Sequence, residues 1–214
     1  SETTDLTLDT SASLVVAEVT KVTTPTSDST PNYTFSSSVA GTITYGGSCS
    51  SPVTAASAGS NTITFNSLYE GTYSNCTITV TDSGGNSETL NINSFVVDAS
   101  SPMLMEVTAV TTPTNDSTPN YTFESSEAGT ITYSGSCSSS VSSVGAGSNT
   151  ISLNSLGDGT YSNCKITVTD SAGNVSGTLA ISSFEVENST ATLTLVEVTP
   201  VTTPSNDNTP NYTF

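Results

Sequence analysis

The chain repeats itself with a period of 88 residues. Cys49 and Cys137 are 88 residues apart, and so are Cys76 and Cys164. This period is an ordinary length for one domain, so the sequence predicts tandem copies of one fold. The predicted division is the tail of a preceding repeat at 1–17, complete repeats at 18–105 and 106–196, and the start of a third repeat at 197–214.

The phrase TPNYTF occurs three times, beginning at residues 30, 118 and 209. The first two copies continue into further strands, whereas the third stops at Phe214. A fragment this short cannot bury a core, since even an isolated hairpin is marginal in water. We therefore expect the chain to be a section of a longer array.

The charge balance excludes several classes of function. The formal net charge is −17, with two lysines, no arginine and no histidine. Binding to nucleic acid or to an anionic membrane surface requires clustered cations, so neither is expected. Without histidine the chain has no Ser-His-Asp or Cys-His arrangement, and we do not expect an enzyme. No apolar run approaches a membrane span and no signal peptide is recognisable, so any anchor or export signal is expected elsewhere.

Each repeat contains one pair of cysteines, 27 residues apart in both copies. With no histidine and no CxxC motif, zinc is a poor explanation. The spacing favours one disulfide in each repeat, Cys49 with Cys76 and Cys137 with Cys164, and hence an oxidising, extracytoplasmic compartment. The alternative is two free, buried thiols in each repeat.

Alternation of apolar and polar residues predicts strands throughout each repeat. In the first repeat the strands fall near residues 14–22, 33–35, 43–49, 63–65, 76–80 and 90–97, with a bulge near Asn93 and Ser94. About seven short strands in one domain predict an all-β fold, a β-sandwich of immunoglobulin type. In that fold Cys49 ends strand C and Cys76 begins strand F, which are neighbours. Tyr73 and Tyr161 are candidate tyrosine-corner residues.

Three segments resemble a known family. LYEGTYSNCTITVTDSGGN (68–86), LGDGTYSNCKITVTDSAGN (156–174) and TPTNDSTPNYTF (from Thr112) resemble the bacterial immunoglobulin-like repeats of giant Gram-negative surface adhesins, including the repeats-in-toxin adhesins. The resemblance implies an extracellular location, a spacer role and calcium between repeats. The cysteine pair departs from the family, because many such repeats have none.

Carboxylates collect where one repeat meets the next. In the sandwich arrangement the end of the first repeat holds Asp28, Glu70 and Asp98, the start of the second holds Glu124, Glu127 and Asp170, and the next junction holds Asp116, Asp158 and Glu187. Clustered carboxylate oxygens suit calcium, so we expect Ca²⁺ at the junctions, where it would stiffen the array. The alternative is that these are ordinary turn residues and a charged rim that keeps the repeats in solution.

Two functions are compatible with these features. The favoured one is a stalk of extender repeats in a bacterial surface adhesin, with the target-binding region elsewhere and further copies of the same repeat as neighbours. The alternative is a subunit of an extracellular filament or sheath, in which exposed strand edges of neighbouring chains pair.

Overall fold

The computed structural model describes residues 13–188 together with residues 196, 206, 208 and 209. Residues 1–12 and most of the predicted third repeat lie outside the described residues. The described part of the chain folds into eighteen strands and contains no helix, hence none that could cross a membrane. The predicted all-β class is confirmed.

The first repeat forms a sandwich of nine strands. They are β1 (Val16–Thr20), β2 (Asn32–Ser37), β3 (Gly41–Gly46), β4 (Ala55–Ala56), β5 (Gly59–Thr64), β6 (Gly71–Tyr73), β7 (Thr77–Asp82), β8 (Ser87–Asn91) and β9 (Phe95–Val97). One sheet has the order β1-β2-β5, the opposing sheet has the order β4-β3-β7-β8, and β6 pairs with β9. All these pairings are antiparallel.

The second repeat follows the same topology. Its strands are β10 (Leu104–Thr108), β11 (Asn120–Ser125), β12 (Gly129–Ser134), β13 (Ser143–Val144), β14 (Gly147–Ser152), β15 (Gly159–Tyr161), β16 (Lys165–Thr169), β17 (Leu179–Ala180) and β18 (Phe184–Val186). The sheets have the orders β10-β11-β14, β13-β12-β16-β17 and β15-β18. Both β1 and β10 begin two residues before the expected repeat starts at 18 and 106.

The last predicted strand of the repeat is divided between two sheets. Instead of one bulged strand over residues 90–97, β8 pairs with β7 and β9 pairs with β6. Ile92 still donates to the carbonyl of Cys76 at 3.0 Å, so the chain changes sheets between Ile92 and Phe95. This crossing and the very short β4 and β6 raise the strand count above the expected seven, since two or three residues are too few to display an alternating pattern.

Stacked aromatic rings fill the core of the first repeat. The ring centroids lie 6.2 Å apart for Tyr33 and Phe65, 6.0 Å for Phe65 and Phe95, and 5.3 Å for Phe95 and Tyr73. The Tyr73 hydroxyl donates to the carbonyl of Tyr69 at 2.9 Å, as a tyrosine corner does, although Tyr73 belongs to β6 rather than to β7. The same bond links Tyr161 to Gly157 in the second repeat.

A disulfide joins the two central strands of each four-stranded sheet. Cys49 follows β3 and Cys76 precedes β7, with their Cα atoms 5.3 Å apart. The turn after β3 passes so close to the β7 side that a Cβ at Gly47 would overlap the Asn75 backbone, and Gly47 has a positive φ of 72°. Cys137 and Cys164 form the equivalent bond, with Cα atoms 5.2 Å apart.

A carboxylate on the first strand anchors a buried tyrosine in the first repeat. The Tyr33 hydroxyl donates to Glu18 at 3.0 Å, and the Asn93 amide donates to the other Glu18 oxygen at 2.6 Å. In the second repeat Ser182 donates to both oxygens of Glu106. The buried Tyr121 hydroxyl makes no hydrogen bond of ordinary geometry to any described residue, but burial and the nearby Glu106 carboxylate raise its pKa.

Removing the disulfide from the first repeat, as Cys49→Ala with Cys76→Ala, is expected to lower its free energy of unfolding by about 3.5 kcal/mol, because a 27-residue loop is no longer closed in the unfolded chain. In a denaturant titration of the full chain, the unfolding transition of the first repeat should move to a lower denaturant concentration. The matched change at Cys137 and Cys164 should move the other transition. An unchanged midpoint in both variants would contradict the prediction.

The two buried tyrosines should respond differently to loss of the hydroxyl. Tyr33→Phe removes a hydrogen bond to a carboxylate and should cost roughly 1.5–3 kcal/mol. Tyr121→Phe removes a hydroxyl that lies near Glu106 without a hydrogen bond of ordinary geometry, so it should cost less than Tyr33→Phe. Thermal unfolding of both variants provides the comparison, and equal losses of stability would contradict it.

Candidate metal centre

Three carboxylates from two repeats meet at one point. Asp98 follows β9 of the first repeat, Glu127 lies in the β11–β12 loop, and Asp170 follows β16 of the second repeat. One oxygen atom from each side chain lies within 4.8 Å of the other two. The junction therefore brings together three oxygen donors, of which the first and the last, Asp98 and Asp170, are 72 residues apart in sequence.

A tight turn fixes Asp170. Its Oδ1 accepts hydrogen bonds from the backbone N–H groups of Ala172 at 2.8 Å and Asn174 at 2.9 Å. Burial opposes ionisation of Asp170, but hydrogen bonds from Asn174, Ala172 and Gly173 outweigh it and lower its pKa. The side chain is therefore held as a carboxylate whose remaining lone pairs are available to a ligand.

The same turn occurs in the first repeat, where Asp82 accepts hydrogen bonds from the backbone of Gly84 and Asn86, both at 2.9 Å. It follows from the shared DSxGN sequence and does not itself indicate a metal. Asp170 differs from Asp82 in its neighbouring side chains. Glu127 lies beside Asp170, whereas the corresponding position in the first repeat is Val39.

Asn174 connects the two repeats directly. Its Nδ2 donates to the backbone carbonyl of Asp98 at 2.8 Å and to Oδ2 of Asp170 at 2.8 Å. The Asp98 backbone is itself anchored in the first sandwich, since its N–H donates to Thr26 at 2.9 Å. The Asn174 amide thus links Asp98 of the first repeat to Asp170 of the second.

Glu127 experiences the repulsion of this cluster. Partial burial raises its pKa, and the negative charges of Asp98, Asp170 and Glu70 raise it further. The loop that holds Glu127 is fixed by Ser125, whose buried hydroxyl donates to the Glu127 carbonyl at 2.6 Å. A cation at this point would relieve the repulsion, because it would stabilise the ionised form of Glu127.

The remaining carboxylates predicted at this junction lie around the cluster or away from it. Glu70 accepts a hydrogen bond from Ser100 at 2.7 Å and lines the same cleft as Asp98 and Glu127. Asp28 accepts one from the Thr30 backbone at 2.8 Å and so caps its own turn. Glu124 is exposed on β11.

At the next junction the structure describes only the side contributed by the second repeat. Asp116 caps its turn through the Thr118 backbone at 2.8 Å, and Asp158 accepts a hydrogen bond from Asn188 at 2.7 Å. Glu187 follows β18 as Asp98 follows β9, and its N–H donates to Thr114 at 2.8 Å. The partners expected from a third repeat lie outside the described residues.

Sequence reasoning placed Asp98, Glu127 and Asp170 at this junction but missed Asn174. The available signal was the DSxGN phrase, in which the final asparagine closes the turn in both repeats. That its amide also reaches the neighbouring repeat depends on how the two sandwiches meet, which one sequence does not specify.

Comparisons with known proteins do not assign the chain to a family. No family model matches the chain, and no curated protein matches it. Among solved structures, the chain is similar to fibronectin(III)-like modules of Clostridium thermocellum CbhA, with 11% sequence identity and a TM-score of 0.41, over 81% of this chain and 94% of that one.

The raised pKa of Glu127 is testable by NMR titration of its side-chain carboxyl carbon without divalent cations. A raised pKa means that the folded junction binds the Glu127 proton more tightly than the unfolded chain does. Stability from this group is therefore present at low pH and is lost as pH rises through the raised pKa. Asp98→Asn should shift the pKa of Glu127 back down, and an unaltered titration would contradict the assigned cause.

Proposed function

We propose that this chain is a section of an extracellular stalk, in which tandem β-sandwich repeats hold a distant binding region away from a bacterial surface. The observation that supports this most strongly is the junction, where loops of both repeats converge and Asn174 connects them. A spacer needs such a junction, because repeats joined only by a flexible linker would not project a fixed distance. The resemblance to adhesin extender repeats agrees with this role.

The disulfides support the extracellular setting. Each closes a loop within one sandwich, and such bonds persist in oxidising compartments but are rare in the cytosol. The polar composition gives each repeat a small core, so a covalent link between β3 and β7 contributes a substantial share of its stability. A stalk exposed to the medium gains resistance to unfolding from it.

Calcium is the proposed ligand of the junction. Ca²⁺ takes six to eight oxygen ligands in a flexible geometry, and carboxylates are its usual protein donors. Asp98, Glu127 and Asp170 supply three carboxylates from both repeats, with Glu70 beside them. A cation shared in this way would tie the two sandwiches together and reduce their relative motion.

The decisive experiment combines calorimetric calcium titration with small-angle X-ray scattering of the full chain, in calcium and in chelator. We expect calcium binding and a longer, less variable particle when calcium is present. Glu127→Gln should weaken both responses by about tenfold in calcium concentration, since it removes one charged ligand. Glu88→Gln, which removes an exposed carboxylate from β8, is the matched control and should respond as the unaltered chain does.

If neither binding nor shape depends on calcium, the junction site is wrong and only the spacer role remains. If Glu88→Gln weakens the response as much as Glu127→Gln does, calcium acts through general charge screening rather than through this cluster.

A further inference from the structure

One side of the first sandwich carries no charge. Between Ser29 and Tyr69, a stretch that includes β2, β3, β4 and β5, the sequence contains no Asp, Glu, Lys or Arg. The carboxylates of this repeat belong to β1, β7, β8 and the connecting loops. Since β1 lies beside β8, the outer edges formed by β5 and β4 are on the opposite side. Two copies of a chain with net charge −17 repel least at this neutral side.

Strand β5 is an unprotected sheet edge. In the described structure it pairs with β2 alone, with an unbroken register from Asn32 opposite Thr64 to Ser37 opposite Gly59. From Gly59 to Thr62 it lacks the sequence protections of an edge, because it contains no lysine, proline or bulge. The other edges differ: β1 is bulged and carries Glu18, β8 carries Glu88, and β4 has only two residues.

The free backbone groups of β5 belong to Ser60 and Thr62. Phe65 donates to Pro31 at 3.1 Å, so by the antiparallel alternation residues 59, 61 and 63 also bond to β2 while residues 60 and 62 point outward. After Thr62 the backbone groups of the edge are already bonded. The Ser51 hydroxyl donates to the Thr64 carbonyl at 2.7 Å, and the Asn66 N–H donates to the Ser50 carbonyl at 2.8 Å.

This short edge is complementary to itself. If two β5 strands approach antiparallel about a two-fold axis at Asn61, Ser60 of each copy lies opposite Thr62 of the other. Each such pair can exchange two backbone hydrogen bonds. The Ser60 and Thr62 side chains are small, exposed and uncharged, so they permit the backbones to approach.

We infer that β5 of the first repeat is a self-association edge, which pairs two copies of this chain through a continuous sheet, β1-β2-β5 joined to β5-β2-β1. The inference does not depend on the calcium junction. It gives the chain a lateral contact in addition to the proposed role as a spacer. The alternating sequence pattern does not distinguish one sheet edge from another, and this inference assigns the contact to β5.

The second repeat provides an internal contrast. Its equivalent edge, β14, has outward groups at Ser148 and Thr150, but Glu124 of β11 lies directly opposite Ser148, where the first repeat has Ser36 opposite Ser60. Two β14 edges would bring a carboxylate from each copy close to the contact, and like charges oppose pairing. The association is therefore assigned to the first repeat.

Sedimentation equilibrium of the full chain in chelator, from micromolar to millimolar concentration, tests the inference. The average mass should rise toward that of a dimer. Thr62→Pro removes an outward N–H and the Thr34–Thr62 side-chain hydrogen bond, but no backbone hydrogen bond to β2, so it should weaken association about tenfold or more. Thr150→Pro, the matched change in the second repeat, should leave the curve unaltered.

Ser36→Glu places the charge of Glu124 beside β5 without altering the β5 backbone, and it too should weaken association. It keeps the test valid even if Thr62→Pro unfolds the repeat, which circular dichroism would detect. A chain that stays monomeric at every concentration overturns the inference. So does a folded Thr62→Pro variant that associates normally, or a Thr150→Pro variant that fails to associate.

Discussion

The organisation of this protein depends on the placement of carboxylates that have almost no cations to neutralise them. With 19 acidic residues and two lysines, ion pairs cannot balance the charge. The first sandwich keeps its carboxylates off β2 to β5, on β1, β7 and β8 and in the connecting loops. Where two loops meet, burial and the repulsion from neighbouring carboxylates together raise the pKa of Glu127. The same placement of carboxylates leaves the β5 edge uncharged. The charge cluster at the junction and the neutral β5 edge therefore have one physical cause.

Within each sandwich, stability comes from a small set of interactions. The stacked rings of the first repeat connect the β1-β2-β5 sheet to the β6–β9 pair, and the disulfide joins the ends of β3 and β7. The second repeat has Leu153 in place of Phe65, and its Tyr121 lacks the direct hydrogen bond that Tyr33 makes to Glu18, yet it keeps the same topology. Apolar side chains of suitable size in an alternating pattern are therefore enough to produce the fold, and the exact side-chain contacts can differ between repeats.

Two of the differences between the repeats lie at surfaces where repeats or chains can meet. Glu127 replaces Val39 at the junction, and Glu124 replaces Ser36 beside the outer edge. Both changes add charge to the second repeat, and neither alters the strand register. The shared positions specify the sandwich, and these charges give the two copies different surfaces.

The sequence by itself determined the 88-residue repeat, the all-β class and the cysteine spacing, because alternation and self-similarity are local properties of a chain. It also indicated that Asp98, Glu127 and Asp170 fall at one junction, because loops of a sandwich alternate between its ends. The division of β8 from β9 and the bridge from Asn174 to Asp98 were not accessible to it. Only the tertiary structure decided these, since a strand's choice of sheet and an amide's reach to the next repeat depend on packing between distant segments.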